Sequence, residues 1–477
     1  MKQNVTIIGA GLVGSLLGIY MAKRGYKVNI YERRGDIRKQ EQIAGRSINL
    51  ALSDRGLLAL EKIGLTNAVK QVCIPMHNRF IHTATGGTVT QSYGKENQYI
   101  NSVSRATLNM KLMDLAEQNG VKIFFNHQCK NIDWKKNEVF FEEKYEPESR
   151  KYEVQSTIEA IKNTLTEQLN DKPETTNDKE ITLNFDLLFG SDGAFSAARL
   201  QHQLQHNQFN YNQYYIDCGY KELTIAALPN GGYAIDKNSL HIWPRKSYMM
   251  IALPNLDGSF TCTLFFPMQG ENSFAALNTS EKVEAFFTKN FADAVPLMPN
   301  YLTDFFANPT ASLVTIKCSP WVRENKFALI GDAAHAIVPF FGQGMNCGFE
   351  DCRILDELID KHNENWTLIL EEYQTLRIPD ANAIADLAVN NFYEMRDRTG
   401  DPQFLLQKKI EARLHEKYPT KWIPAYSQVT FSPHIRYSDA LKNGLHQEEI
   451  MQQVMQTPNI ENIWDSVEIE EMILARI

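Results

Sequence analysis

The sequence predicts an α/β protein in which a nucleotide-binding domain of the Rossmann-like type is interleaved with an antiparallel-sheet domain and followed by a helical C-terminal region. Three observations predict it. A short apolar strand runs into Gly9-x-Gly11-x-x-Gly14 and on into a helix. A second strand-to-glycine turn, Gly331-Asp332, follows Ala328-Leu329-Ile330 far down the chain. Strand-like segments separate the two turns, and after Gly344 the pattern becomes mostly helical.

In chain order, residues 5–8 form the first strand and residues 12–24 a helix with an apolar face, closed by Gly25 as its C-cap. Residues 26–31 form a second strand ending at Glu32, which completes one βαβ start. A helix over 57–63 stops at Gly64, and 80–85 with 87–92 reads as a hairpin across Gly86-Gly87. Ser104 is the N-cap residue of a helix reaching residue 119, Gly120 closes it, and 121–125 is a strand. Residues 142–180 are rich in Glu, Lys, Asn, Thr and Gln, and read as a polar insertion between two strands, with a helix over 157–169. Residues 185–190 resume a core strand, and segments 223–228, 241–243, 248–253 and 259–266 suggest an antiparallel floor.

These elements divide the chain into a first nucleotide-binding segment at 1–75 and a hairpin of the second domain at 76–100. A second nucleotide-binding segment covers 101–200 with its insertion at 142–180. The sheet domain follows at 201–320, a third nucleotide-binding segment at 321–360, and the C-terminal helical region at 361–477. At 477 residues the chain is too long for one ordinary core. Its net charge of −8 argues against a nucleic-acid partner. Seven scattered cysteines without a C-x-x-C pair point to reduced thiols, with Cys347 and Cys352 packed on one helix, and away from a metal site or a disulfide framework. A strand beginning at Val5 leaves no room for a signal peptide, and no stretch approaches the roughly 20 apolar residues of a membrane span. The expectation is a soluble, cytoplasmic protein, for which a homodimer is one allowed assembly.

The motifs carry the chemistry. Gly9 permits a tight turn, Gly11 lets the backbone approach a pyrophosphate, and Gly14 lets helix and strand pack closely. The anion then sits at a helix N-terminus. Glu32 lies eighteen residues beyond Gly14, where an acid binds a ribose 2′-OH and repels a 2′-phosphate, so the site suits FAD or NAD and not NADP. Asp192, in Gly190-Ser191-Asp192-Gly193, can orient backbone around a pyrophosphate, or can be an ordinary Asp-Gly turn before a helix. Asp332 can accept from ribityl hydroxyls, and Gly342-Gln343-Gly344-Met345-Asn346 can aim N–H groups at the edge of a flavin. Gly342-x-Gly344 is not a second dinucleotide fingerprint, so a nicotinamide coenzyme has no Rossmann domain of its own. His335 has no nucleophile to pair with and reads as structural.

The order G-x-G-x-x-G, D-G, G-D resembles the single-component aromatic hydroxylases of the para-hydroxybenzoate hydroxylase type. Several strings resemble the kynurenine 3-monooxygenase family more closely: Glu32-Arg33-Arg34, the 45–52 and 219–223 segments, Leu240-His241-Ile242-Trp243-Pro244, residues 251–257, residues 338–346 and residues 426–431. The resemblance implies bound FAD, NADPH and O2 as co-substrates, and hydroxylation of L-kynurenine to 3-hydroxykynurenine through a flavin C4a-hydroperoxide, in tryptophan breakdown and NAD synthesis. It implies no catalytic side chain and no metal. It implies that Arg79 and Tyr93 bind the substrate carboxylate and that Asn391 and Tyr426 are polar partners at the far end of the pocket. Leu240, Met249, Ile251 and Leu253, with Phe265, Pro339, Phe340 and Met395, become the apolar wall. Val13, Arg33, Arg46, Ala51 and Arg105 join the glycines, Glu32, Asp192, Gly331, Asp332 and residues 343–346 as cofactor-binding positions. Without the resemblance, Arg79 reads as a solvated edge charge, Tyr93 as a cross-strand aromatic and the apolar wall as core. A different flavin aromatic hydroxylase and a non-catalytic flavin-binding protein remain the alternatives. Two features depart from the family: the 142–180 insertion is long, and the membrane anchor that ends eukaryotic members is missing.

Overall fold

The computed structural model describes residues 2–39, 49–93, 98–144, 179–397 and 401–477. The anticipated helix over 157–169 and the position of Arg46 lie outside the described residues.

The N-terminal strand Asn4–Ile8 forms the centre of a six-stranded sheet. It pairs in parallel with Lys27–Tyr31 on one side and Leu187–Gly190 on the other, and Phe327–Leu329 extends the sheet in parallel. Three chain segments far apart in sequence thus build one sheet, as the interleaved reading requires. Val5, Ile7 and Ile30 have no solvent exposure, and a helix covers them: Leu12–Lys23 packs Leu16, Leu17 and Ile19 into the same core. Strands buried on both faces have to be this apolar.

A seven-stranded sheet forms the second layer, in the order Ala311–Ser319, Asn210–Ile225, Phe260–Phe266, Tyr248–Pro254, Ser239–Arg245, Asn78–His82, Thr88–Ser92. It is antiparallel except at one junction. Ser239–Arg245 runs parallel to Asn78–His82, setting Leu240 opposite Arg79. Two faces follow from the period-two alternation. Leu240 and Ile242 face the cavity described below, while Trp243 is packed with Phe260 and Phe287 against the helices Ser280–Asn290 and Tyr301–Ala307.

The sequence reading misses those two helices, the strand Ala311–Ser319 and most of the strand Asn210–Ile225. That strand runs 16 residues, and its first half, Asn210-Tyr211-Asn212-Gln213-Tyr214-Tyr215, is polar and largely open to solvent beside an edge strand. It has no apolar run to announce it. The polar insertion joins Glu138–Glu143 to Lys179–Asn184, which pair antiparallel with each other. Beyond Gly344 the chain is helical, and the 32-residue helix Trp366–Asp397 links the two layers. Its first turns carry Trp366, Ile369 and Tyr373 into the nucleotide-domain core, and its last carry Phe392 and Met395 toward the second sheet. Among the described residues no helix is long and apolar enough to cross a membrane.

Candidate active site

One cavity of about 2090 Å³ runs between the two layers. At one end it is lined by Gly9, Gly11, Val13, Glu32 and Arg33, in the middle by Ala51, Arg105, Asp192, Asp332 and Gln343 to Met345. At the other it reaches Arg79, Tyr93, Asn391 and Tyr426, with the eight apolar residues anticipated as a wall all lining it. Gly14, Gly331 and Asn346 do not line it. They stand behind the surface and shape it.

The glycine turn shows why. A Cβ on Gly14 would lie 2.0 Å from the carbonyl oxygen of Gly9, and one on Gly9 2.7 Å from that of Ser191, so both are excluded by packing. A Cβ on Gly11 would meet nothing within 4 Å, because it would point into the cavity. Gly11 is the N-cap of the helix Leu12–Lys23, which has no side-chain cap and no acid in its first turn. Free N–H groups at a positive helix end, beside a glycine with open space over it, fit a pyrophosphate. The helix Gly344–Lys361 presents a second N-terminus without a side-chain cap, and Gly344 and Met345 line the cavity there. Asn346 braces it: its Nδ2 donates to the carbonyls of Ala51 and Gly342 (both 2.8 Å), and its Oδ1 accepts from the Ser53 N–H at 3.0 Å. Gly331, at φ +62°, lets its neighbour Val13 pack 3.0 Å from where a Cβ would stand.

The two acids differ. Glu32 is buried and accepts from the Ala10 N–H (2.9 Å), the Arg34 N–H (3.1 Å) and the Arg34 Nε (2.7 Å). Burial pushes its carboxyl up, but Arg34 and the backbone donors outweigh this and hold it below the usual carboxylate range. Three bonds leave room for one more donor, such as a ribose hydroxyl. Asp192 lines the cavity, yet its carboxylate is turned to the start of the helix Ala197–Leu204. It accepts from the Ser196 hydroxyl (2.5 Å) and from the Ala197 and Ala198 N–H groups (2.6 and 3.2 Å). Asp192 thus caps that helix and lines the cavity at once.

At the far end, the Arg79 guanidinium lies 4.8 Å from the ring centre of Tyr93 and 4.3 Å from that of Tyr426. Among the described residues no carboxylate lies within ion-pair distance of it. The Tyr93 hydroxyl is buried with no hydrogen-bond partner of sound geometry among the described residues, and burial pushes its pKa well up, so it is a donor at neutral pH. A guanidinium without a carboxylate beside a buried phenol O–H is a pair of groups that can hold an anion. Asn391 donates from Nδ2 to the Phe340 carbonyl at 2.6 Å, holding the Pro339–Phe341 turn against the helix that carries Asn391. Phe265 and Phe340 meet with ring centres 4.9 Å apart, and Phe341 stacks on Tyr426 at 5.5 Å.

Sequence reasoning missed the buried ionic network behind the cofactor end. Arg377 Nε donates to Asp351 (2.7 Å) and its Nη1 to Glu350 (2.8 Å). Arg55 donates to the same Glu350 at 2.7 Å. Asp351 also accepts from His335 Nε2 (2.6 Å) and from the Gly331 N–H (3.1 Å). His335 is buried in this network and does not line the cavity. Ligand atoms of His335, Cys347 and Asp351 lie within 4.8 Å of one another, but Arg377 donates to both Asp351 and the Cys347 sulfur, so a cation already fills that role.

A direct consequence concerns Gly11→Ala. With φ at −73° and open space above it, alanine costs the fold within about 0.5 kcal/mol. Its methyl would stand in the open space over the turn, so if a dinucleotide pyrophosphate lies there its affinity is expected to fall at least about ten-fold, or about 1.4 kcal/mol. Flavin retention after gel filtration, beside an unchanged apoprotein melting point, checks this.

The chain matches the FAD binding domain family over residues 2–160 and 149–388. It is 47% identical over 474 residues to the kynurenine 3-monooxygenase of Flavobacterium johnsoniae, covering 99% of this chain and 98% of the relative. It is 42% identical over 453 residues to that of Sus scrofa, covering 94% and 88%. Among solved structures, 2-methyl-3-hydroxypyridine-5-carboxylic acid oxygenase superposes with a TM-score of 0.61 at 17% identity, over 84% of this chain and 94% of the other. A likeness at that identity speaks for the fold alone.

Proposed function

The chain belongs to the kynurenine 3-monooxygenase family, and on that premise we propose how its own residues serve an FAD-dependent hydroxylation of L-kynurenine to 3-hydroxykynurenine with NADPH and O2. FAD, reduced by NADPH, supplies the activation of O2. Gly9, Gly11 and the Leu12–Lys23 N-terminus take its pyrophosphate and Glu32 its adenosine ribose. Asp332 takes the ribityl chain, and the Gly344–Lys361 N-terminus faces the flavin ring. Arg79 and Tyr93 take the substrate carboxylate. Leu240, Met249, Ile251, Phe265 and Phe340 enclose the aromatic ring and keep water from it. No side chain is required as a strong base, because the ring's own amino group donates electron density to the position attacked.

The single observation that carries this reading is the Arg79 guanidinium, without a carboxylate partner among the described residues, at the opposite end of the cavity from the glycine turn. It fits an aromatic acid lying between the two. The same geometry supports a gate, in which NADPH oxidation waits for the carboxylate to arrive. Seven scattered cysteines without a C-x-x-C pair support a reducing, cytoplasmic setting.

The test is NADPH consumption by FAD-loaded protein with and without L-kynurenine, with the product identified by mass. Kynurenine-dependent consumption and a product heavier by one oxygen are expected. Stimulation that yields only hydrogen peroxide would mean that kynurenine is an effector and another aromatic amino ketone the substrate. Oxidation equally fast without kynurenine would sink the gate.

A further inference from the structure

Tyr437 opens the helix Tyr437–Met455 of the C-terminal region, far in sequence from both glycine turns. It has no solvent exposure. The Arg55 guanidinium lies 4.0 Å from its ring centre, and its hydroxyl donates to Gln343 Oε1 at 2.9 Å. Gln343 is 2% exposed and lines the cavity between Gly342 and Gly344. Tyr437 stands behind it and does not line the cavity.

The backbone on either side of Gln343 is fixed. Asn346 Nδ2 holds the Gly342 carbonyl, and the Gln343 carbonyl accepts from the Cys347 N–H at 2.8 Å. The side-chain amide alone is left to turn. Its two ends are unlike, an oxygen that accepts and a nitrogen with two protons to donate.

Proton supply decides which end meets Tyr437. Burial pushes the phenol pKa well up, so the hydroxyl keeps its proton. That proton has Gln343 Oε1 as its one acceptor among the described residues. An inverted amide would offer Nε2 to the hydroxyl instead, and would strand a buried O–H without an acceptor. The hydroxyl therefore locks the amide with its oxygen inward and leaves the nitrogen as the end for the cavity. Nε2 makes no hydrogen bond among the described residues.

We propose that Tyr437 is a positioning residue for the flavin: its hydroxyl holds the Gln343 amide so that the two N–H groups, and not the oxygen, are turned to the ring. The inference rests on the reading of this part of the cavity as the flavin's. A donor there favours the reduced ring, which carries more negative charge, and a carbonyl oxygen in the same place disfavours it. Packing explains the Tyr437 ring, since a Phe ring would face Arg55 as well. It does not explain a buried hydroxyl whose acceptor is a cavity-lining amide.

The test is the midpoint potential of FAD bound to the protein, measured by reductive titration against a reference dye. Tyr437→Phe keeps the ring over Arg55 and removes only the hydroxyl. Its preference for reduced over oxidised flavin is expected to fall about ten-fold, which for a two-electron couple is a potential about 30 mV lower. Gln343→Leu is expected to lower the potential at least as far. Tyr437→Phe added to Gln343→Leu is expected to shift nothing further, because Tyr437 acts through the amide. A hydroxyl with a merely structural role weakens both redox forms equally and leaves the potential where it was, and that result in Tyr437→Phe overturns the proposal. So does a double variant whose shift is the sum of the two single shifts. An unmoved potential in Gln343→Leu overturns it independently of how well Tyr437→Phe folds. A wild-type protein that takes up no FAD overturns the reading of the cavity instead.

Discussion

Replacing Arg79 by alanine is expected to raise the KM for L-kynurenine about thirty-fold or more while the flavin stays bound. The magnitude follows from the loss of about 2–5 kcal/mol when a buried charge partner is removed, at about 1.4 kcal/mol per factor of ten. Both halves of the result follow from position. Arg79 sits on the hairpin strand Asn78–His82, flanked by Tyr93 and Tyr426, and touches none of the groups around the glycine turn. Arg79→Lys is no rescue, because an ammonium cannot reproduce the two-pronged contact of a guanidinium with a carboxylate. Tyr93→Phe separates binding from folding. Its hydroxyl lies beside the Arg79 guanidinium and makes no other hydrogen bond among the described residues, so the empty protein is expected to change by no more than about 1 kcal/mol, while substrate binding weakens by about 0.5–1.5 kcal/mol. Titration of substrate by flavin absorbance, with thermal melts of the same variants, checks the pair. An unchanged KM in Arg79→Ala removes Arg79 from the site.

The two ends of the cavity were unequally legible in the sequence. The cofactor end is written locally: strand, glycine turn, helix and Glu32 lie within one short stretch, and each glycine has a steric reason that the structure bears out at Gly9 and Gly14. The substrate end has no such script. Arg79, Tyr93, Asn391 and Tyr426 come from a hairpin, a long helix and a short one, and each alone reads as an edge charge or a packed aromatic. Only resemblance to a family brought them forward, and only the fold brings them to one cavity. The long strand Asn210–Ile225 escaped because half of it is polar, and the helices 280–290 and 301–307 because nothing near them announced a sheet to cover. The ionic network is illegible for a different reason. Arg55, Glu350, Asp351 and Arg377 look like ordinary helix-surface charges until three helices close over them.

That network carries the second large effect. Arg377→Met is expected to destabilise the protein by about 3–5 kcal/mol, since it takes one buried cation partner from each of Glu350 and Asp351, leaving Glu350 to Arg55 and Arg353 and Asp351 to His335. FAD retention falls with it, because Asp351 holds the Gly331 N–H at the turn that precedes Asp332. The pH dependence gives the sharper reading. In the intact protein Arg377, Arg55 and His335 hold the Glu350 and Asp351 carboxyls below their usual range, against the push of burial. A depressed carboxyl contributes stability above its unfolded pKa of about 4, and the contribution is lost as pH falls through the folded value. His335 is the opposite case: Asp351 and Cys347 raise it well above 6.5, so its contribution is full below 6.5 and lost as pH rises through that higher value. In Arg377→Met the two carboxyls, each short of one buried cation partner, take up protons more readily, and protonation relieves part of the loss. The gap in melting temperature between the two proteins should therefore be widest near neutral pH and narrow as pH falls toward about 4. A gap that holds constant across that range would mean that the loss is one of packing, and that the buried charges are not what Arg377 holds in place.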